Sequence, residues 1–105
     1  MSMASAEPLY AIREHPRFLK DLEQLTTVFK VDAPTLDDII SGIKWALSHN
    51  PQVFPLAHDH AGLRVVKTNR VDRGLASVPM LRIWFRICDG NAVELLKVET
   101  LDLFL

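Results

Sequence analysis

The sequence lacks the features that mark disulfide-rich, zinc-binding, membrane and secreted proteins. It has a single cysteine, Cys88, which excludes an internal disulfide and any zinc site built from several cysteines. Its apolar runs fall well short of the roughly 18 residues that a membrane-spanning helix needs. The opening residues carry neither a basic segment nor an apolar run. We therefore expect no secretory signal, no membrane partner and a cytoplasmic location.

The net charge is close to zero, and the sequence has no recognisable cofactor motif. The chain has 12 Lys and Arg against 13 Asp and Glu, and a net charge of −1 argues against nonspecific coating of nucleic acid. It contains no glycine-rich phosphate loop, nucleophile elbow or calcium loop, so we expect no cofactor and no metal. With 49% hydrophobic residues it is too apolar for intrinsic disorder. Residues 1–8 are small and polar and end in a proline, which predicts a loose tail. The length predicts one domain, over residues 9–105.

A short strand and two amphipathic helices are expected in the first half. Residues 9–13 read as a strand, and Pro16 suits the first turn of a helix. A second helix should begin near Thr35, which with Asp38 resembles a capping box, and should end at His49. A short connection would make the two a helical hairpin. The apolar residues at helical spacing are Phe18, Leu22, Leu25 and Phe29, then Leu36, Ile39, Ile40, Ile43 and Leu47, with Trp45 at the margin of the second set.

In the second half of the sequence, apolar and polar residues alternate with the period of two that is typical of β-strands. Residues 63–70 and 80–88 are predicted strands, joined by a connection over residues 71–79. A turn at residues 89–91 leads to a returning strand over residues 92–99. The element order predicts an α+β fold, in which an N-terminal strand and a helical hairpin pack on one face of a three- to four-stranded antiparallel sheet.

The register of the last hairpin has two solutions. A two-residue loop would set Phe85 opposite Glu94. A three-residue loop sets Phe85 opposite Leu95 and Arg86 opposite Glu94, which matches apolar with apolar and pairs opposite charges. We therefore favour the three-residue loop.

The strand over residues 80–88 provides the main candidate site. If its apolar positions (Leu81, Ile83, Phe85 and Ile87) face the helices, Arg82, Trp84 and Arg86 lie on the opposite face. Residues 61–88 carry a net charge of +5, flanked by two segments of −3 each. Arginine binds phosphate in a planar fork, and tryptophan can stack on a base, so this face could bind RNA and stabilise charge on a phosphate. The adjacent strand is expected to add Arg64, Lys67 and Arg70.

Two alternatives weigh against that interpretation. Trp84 could simply cover the sheet while the arginines pair with Glu94 and Glu99. The cluster His58-Asp59-His60, which precedes this block, is best explained as a solvated loop. As a metal site it is weak, because two histidines without further ligands are insufficient. Either His58 or His60 could instead serve as a general base near the basic cluster.

Four segments resemble the RelE/ParE superfamily of toxins. The run HPRFLKDLEQL at residues 15–25 resembles the helix that follows strand one in that family. The run GLRVVK at residues 62–67 resembles its second strand, and LRIWF at residues 81–85 its third, where an arginine precedes an aromatic residue. Asp89-Gly90 and the strand after it resemble its last hairpin. The match spans roughly residues 9–99 in element order.

This resemblance implies a small bacterial toxin with a cognate antitoxin as its partner. Relatives of the RelE kind cut messenger RNA on the ribosome without a metal, by attack of a ribose 2′-hydroxyl on the neighbouring phosphate, whereas relatives of the ParE kind inhibit DNA gyrase. By position, Arg82 matches the third-strand arginine, and Arg64 and Lys67 match basic positions of the second strand. The resemblance therefore implies catalysis by Arg64, Lys67 and Arg82. The remaining residues expected to contact RNA are Arg70, Trp84 and Arg86.

The sequence departs from this family at its C-terminal end. RNA-cleaving members usually carry a tyrosine, or a histidine and an arginine, in that region, and residues 98–105 contain none of these. The single tyrosine, Tyr10, lies at the other end of the chain. A non-enzymatic relative, either a gyrase inhibitor or a catalytically decayed binding module, is therefore the alternative. A small α+β interaction domain unrelated to toxins is a third possibility.

Overall fold

The computed structural model describes residues 9–57 and 62–101. The expected tail over residues 1–8 and both histidines of the His58-Asp59-His60 cluster lie outside this part of the chain. The elements, in chain order, are β1 (Ala11–Glu14), α1 (Pro16–Thr27), α2 (Ala33–His49), a 3₁₀ turn (Pro51–Val53), β2 (Leu63–Lys67), β3 (Val71–Arg73), β4 (Ala76–Val78), β5 (Leu81–Cys88) and β6 (Ala92–Thr100).

The predicted α+β fold is confirmed. The main sheet has four strands in the order β1-β6-β5-β2. Strands β2, β5 and β6 are antiparallel as expected, but β1 runs parallel to β6. No hairpin joins β1 to its neighbour, since both helices and the other strands lie between them in the chain, so nothing forces that pair to be antiparallel. None of the described helices is long and apolar enough to cross a membrane.

The bounds of helix α1 agree with the prediction at its start but not at its end. His15 is its N-cap, because the His15 Nδ1 accepts a hydrogen bond of 3.0 Å from the Arg17 amide, and proline follows in the first turn. Phe18 and Leu25 are buried as predicted. Phe29 was expected to continue that apolar stripe, but the helix ends at Thr27 and Phe29 is 48% exposed. That part of the prediction is wrong because the helical period stops before it reaches Phe29.

Helix α2 begins two residues before the expected start. Its N-cap is Asp32, whose carboxylate accepts hydrogen bonds from the Thr35 amide (3.1 Å) and the Thr35 hydroxyl (2.6 Å). The proposed capping box of Thr35 and Asp38 is therefore wrong. The side-chain and backbone hydrogen bonds from Thr35 lower the pKa of Asp32. The predicted apolar face of the helix is confirmed, whereas Trp45 is 64% exposed and stacks on His49 with ring centroids 4.3 Å apart.

The segment over residues 71–79, which we expected to be a connection, contains a second sheet. Strands β3 and β4 pair as a small hairpin, with Gly74 in the turn at a φ of 62°. Arg73 of this hairpin forms an ion pair of 2.9 Å with Asp38 on α2. Strand β2 correspondingly ends at Lys67 rather than at Arg70.

The hairpin of β5 and β6 has the favoured register. Phe85 lies opposite Leu95 and Arg86 opposite Glu94, which confirms the three-residue loop. Beyond this point the pairing shifts by one residue, so that Trp84 lies opposite Lys97 and Leu96 is the extra residue of a β-bulge. The shift lets β6 bury Val98 as well as Leu95, although these two residues are three positions apart.

Candidate functional site

The candidate site lies on the side of the main sheet that faces away from the core, which we name the outer face. Ile83 and Phe85 are fully buried, so the residues between and beside them on β5 point to the opposite side. Cross-strand partners share a face of the sheet, which extends the outer face to the other three strands. Its charged residues are Arg13, Lys67, Arg82, Arg86 and Lys97, with Glu94 and Glu99, a net charge of +3.

A network of Arg82, Trp84 and Glu99 occupies the middle of the outer face. The Nε of Arg82 donates to Oε2 of Glu99 at 2.6 Å, and the indole Nε1 of Trp84 donates to the same oxygen at 3.1 Å. The Arg82 guanidinium also lies 5.5 Å from the centroid of the indole ring. One carboxylate oxygen therefore accepts two hydrogen bonds from two neighbouring side chains of β5.

Lys97 adds a second cation to this network. Its ammonium nitrogen lies 4.8 Å from the centroid of the Trp84 ring, within cation–π distance. Partial burial would raise the pKa of Glu99, but the hydrogen bonds from Trp84 and Arg82 and the charges of Arg82 and Lys97 together lower it. Glu99 is therefore held as a carboxylate at neutral pH.

The other arginine of β5 is also paired. Arg86 binds Glu94 on the neighbouring strand, with Nη2 2.7 Å and Nε 2.9 Å from Oε1. The alternative interpretation, in which the arginines pair with Glu94 and Glu99, thus describes the geometry of both. The basic block over residues 61–88 is partly neutralised by the acidic segment that follows it.

Lys67 lies directly opposite Arg82 on the neighbouring strand. Its side chain is exposed, and no residue in the described ranges hydrogen-bonds or ion-pairs with it. Lys67 and Arg82 border a groove of about 630 Å³, whose wall of residues 54–57 runs beside β2 and whose lining also includes Val65 and Trp84. Among the three residues expected to be catalytic, Lys67 and Arg82 lie side by side in the structure.

Arg64 is not in this group, contrary to our expectation. It pairs with Phe85 and therefore lies on the core side of β2. Its Nη1 donates to the carbonyl oxygens of Phe54 (2.6 Å) and Gln52 (3.3 Å). Arg64 thus holds the chain segment that forms the wall of the groove, and its guanidinium is not directed into the outer face.

Arg70 lies beyond the end of β2. It contacts the β3–β4 hairpin, where Nε is 3.4 Å from a carboxylate oxygen of Asp72 and Nη2 is 3.4 Å from the hydroxyl of Ser77. It does not line the groove beside Lys67. The expectation that Arg70 joins the cluster is therefore not met.

A second, smaller concavity of about 240 Å³ lies on the other side of Trp84. Leu63 and Leu96 contribute apolar surface to it, and His15, Arg17 and Lys97 contribute polar groups. His15 is not a free base there, because Nδ1 accepts the hydrogen bond that caps α1. Trp84 thus contributes to the lining of both concavities.

The outer face can bind an anion and a flat ring side by side. It offers two cations around an indole, and a third cation, Lys67, without a partner among the described residues. The hydroxyl of Tyr10 accepts a hydrogen bond from the side chain of Gln52. Sequence reasoning missed Lys97 as a member of the site, and it named Glu99 only as a possible partner of the arginines. In comparisons with known proteins, the chain matches no protein-family model and no curated protein at a significant level.

Proposed function

We propose that this protein is a RelE/ParE-like toxin of a toxin–antitoxin pair, which binds messenger RNA on its outer face and cleaves it without a metal. It would act in the cytoplasm and be neutralised by a cognate antitoxin. The observation that carries this proposal is the position of Lys67 and Arg82, side by side on β2 and β5 next to the partly buried side chain of Trp84.

Binding is supported by the chemistry of that group. Lys67 has no ion-pair partner among residues 9–57 and 62–101 and can contact a phosphate, and Arg82 retains guanidinium N–H groups beyond the one that Glu99 accepts. The indole of Trp84 offers a surface on which a base can stack, and such stacking is worth about 1–3 kcal/mol per base. The charge excess is local, so it favours a directed phosphate site over nonspecific coating.

Cleavage would use the same cations in a second role. When the ribose 2′-oxygen attacks phosphorus and the 5′-oxygen leaves, negative charge builds up on the phosphoryl oxygens, and Lys67 and Arg82 are placed to stabilise it. Neither cation can accept the proton of the 2′-hydroxyl. That proton would pass to water or to a group of the ribosome, and the leaving 5′-oxygen would take a proton from Lys67 or from water.

The proposal is tested by induced expression in a bacterial host, with growth and messenger RNA 5′ ends recorded together. We expect growth arrest and mapped breaks in transcripts, both lost in Lys67→Ala and Arg82→Ala and retained in Arg73→Ala, because Arg73 ion-pairs with Asp38 on α2 and belongs to the separate β3–β4 sheet. Normal growth with intact transcripts would contradict the proposal. A short neighbouring reading frame for an acidic or DNA-binding antitoxin would support it.

A second candidate function is a toxin relative without catalysis, such as a gyrase inhibitor. The observation that favours it is the pairing of both β5 arginines with carboxylates, which places negative charge where a phosphate would otherwise be bound. Growth arrest that persists in Lys67→Ala and Arg82→Ala, with transcripts intact, would support this function over RNA cleavage.

A further inference from the structure

Glu99 lies in a small cage of donors at the centre of the outer face. Its Oε2 accepts from the guanidinium of Arg82 and from the indole N–H of Trp84, and the positive charge of Lys97 lies close enough to lower its pKa. One cation and one neutral N–H thus donate to a single carboxylate oxygen, and a second cation, Lys97, lies 4.8 Å from the centroid of the Trp84 ring. The same arrangement of donors suits an oxygen of a phosphate.

We propose that the Glu99 carboxylate occupies a phosphate subsite formed by Arg82, Trp84 and Lys97, and that an incoming phosphate must displace it. The identification of that phosphate with RNA rests on the proposed function, whereas the subsite itself rests on this geometry. Glu99 is then a built-in competitor that weakens binding and selects for ligands with enough further contacts to replace it.

The carboxylate is held loosely enough to be replaced. The side chains of Arg82 and Glu99 are 34% and 35% exposed, so water screens their attraction and a competing anion can reach them. The backbone of β5 and β6 fixes the donors independently of Glu99, since Arg82 and Trp84 are neighbours on one strand and Lys97 lies opposite Trp84. Removal of the carboxylate should therefore leave the cage in place.

The outer face also provides a matched control. Glu94 is a second carboxylate on β6, paired with Arg86 at 2.7 Å, whereas the indole N–H of Trp84 donates to Glu99. Replacement of Glu94 or Glu99 by glutamine removes one negative charge from the same face and preserves the shape of the side chain. Only the Glu99 substitution removes the competing negative charge from the cage of donors.

The first experiment measures the affinity of a short fluorescein-labelled single-stranded RNA at fixed salt for wild type, Glu99→Gln, Glu94→Gln and the double variant Arg82→Ala/Glu99→Gln. We expect Glu99→Gln to tighten binding by about tenfold, Glu94→Gln by about threefold or less, and the gain to be lost in the double variant. Equal tightening by the two glutamine substitutions would overturn the subsite, because charge alone would explain it, and would leave RNA binding intact.

The second experiment separates failure of the subsite from failure of the proposed function. The indole N–H resonance of Trp84 is followed by NMR in Glu99→Gln while inorganic phosphate is added, with the resonance of Trp45 as an internal reference. We expect the Trp84 signal to shift and the same titration of wild type to shift it less. If no RNA binds but phosphate shifts Trp84, the proposed function fails and the subsite holds; if phosphate does not shift Trp84 in Glu99→Gln, the subsite is refuted.

Discussion

Arg82 and Glu99 face each other across β5 and β6, with Nε of the arginine 2.6 Å from Oε2 of the glutamate. This pairing depends on the bulge at Leu96. If the register of Phe85 and Leu95 continued without interruption, Arg82 would lie opposite Val98. The bulge therefore sends Val98 into the core and brings Glu99 to the cationic centre of the outer face.

We expect Glu99 to make the stability of the fold sensitive to acid. Partial burial opposes ionisation of Glu99, but its hydrogen bonds and the nearby cations outweigh this and lower its pKa from 4.5. A carboxylate whose pKa is lower in the folded state contributes stability above its unfolded pKa, and the contribution is lost as the pH falls through the folded pKa. Urea denaturation at several pH values should show the free energy of unfolding decreasing below about pH 4.5, and less steeply in Glu99→Gln. An identical decrease in Glu99→Gln would contradict this role.

Substitution by methionine should destabilise the fold at Arg64 and leave its stability nearly unchanged at Lys67. Arg64→Met removes hydrogen bonds to two backbone carbonyls, so it should lower the free energy of unfolding by about 1–3 kcal/mol. Lys67→Met should change stability by no more than about 0.5 kcal/mol, because Lys67 has no partner in the described part of the chain.

Measurement of RNA affinity against salt concentration distinguishes the same two variants. Lys67→Met should reduce the slope of log affinity against log salt by about 0.7, the value for one phosphate contact of a single strand. Arg64→Met should leave that slope unchanged, since Arg64 lies on the core side of β2. A reduced slope in Arg64→Met would show that our assignment of this residue is wrong.

The strongest sequence patterns predicted the centre of the sheet correctly. The strict alternation of β5 placed Arg82 and Trp84 opposite the buried Ile83 and Phe85, and the charge match of Arg86 with Glu94 selected the hairpin register. Both signals are local: the first comes from a period of two within one strand, and the second from two strands joined by a short turn.

Other parts of the site depend on contacts that no local period indicates. Strand β2 has apolar residues on both faces, so its alternation did not decide where Arg64 points, and the carbonyl groups that Arg64 binds come from residues 52 and 54. The bulge on β6 did leave a signal, since the apolar residues Leu95 and Val98 are three positions apart rather than two or four. This change in the spacing of apolar residues was sufficient to predict that Glu99 lies opposite Arg82.

Asp32 should account for much of the stability of the start of α2. Its carboxylate accepts from both the amide and the hydroxyl of Thr35, so Asp32→Ala should lower the free energy of unfolding by about 1 kcal/mol. Asp37→Ala is the control, because Asp37 is an exposed acid on the same helix that does not cap it. Equal losses in the two variants would mean that general charge, rather than the cap, stabilises the helix start.

The two tryptophans provide the most direct test of the outer face as an RNA-binding surface. Trp84 lies on that face, whereas Trp45 is exposed on α2 and stacks on His49. The measurement is an NMR titration of the wild-type protein with a short single-stranded RNA, in which the two indole N–H resonances are followed. The account predicts a progressive shift of the Trp84 resonance while the Trp45 resonance stays in place. An unmoved Trp84 resonance, or equal shifts of both, would contradict it.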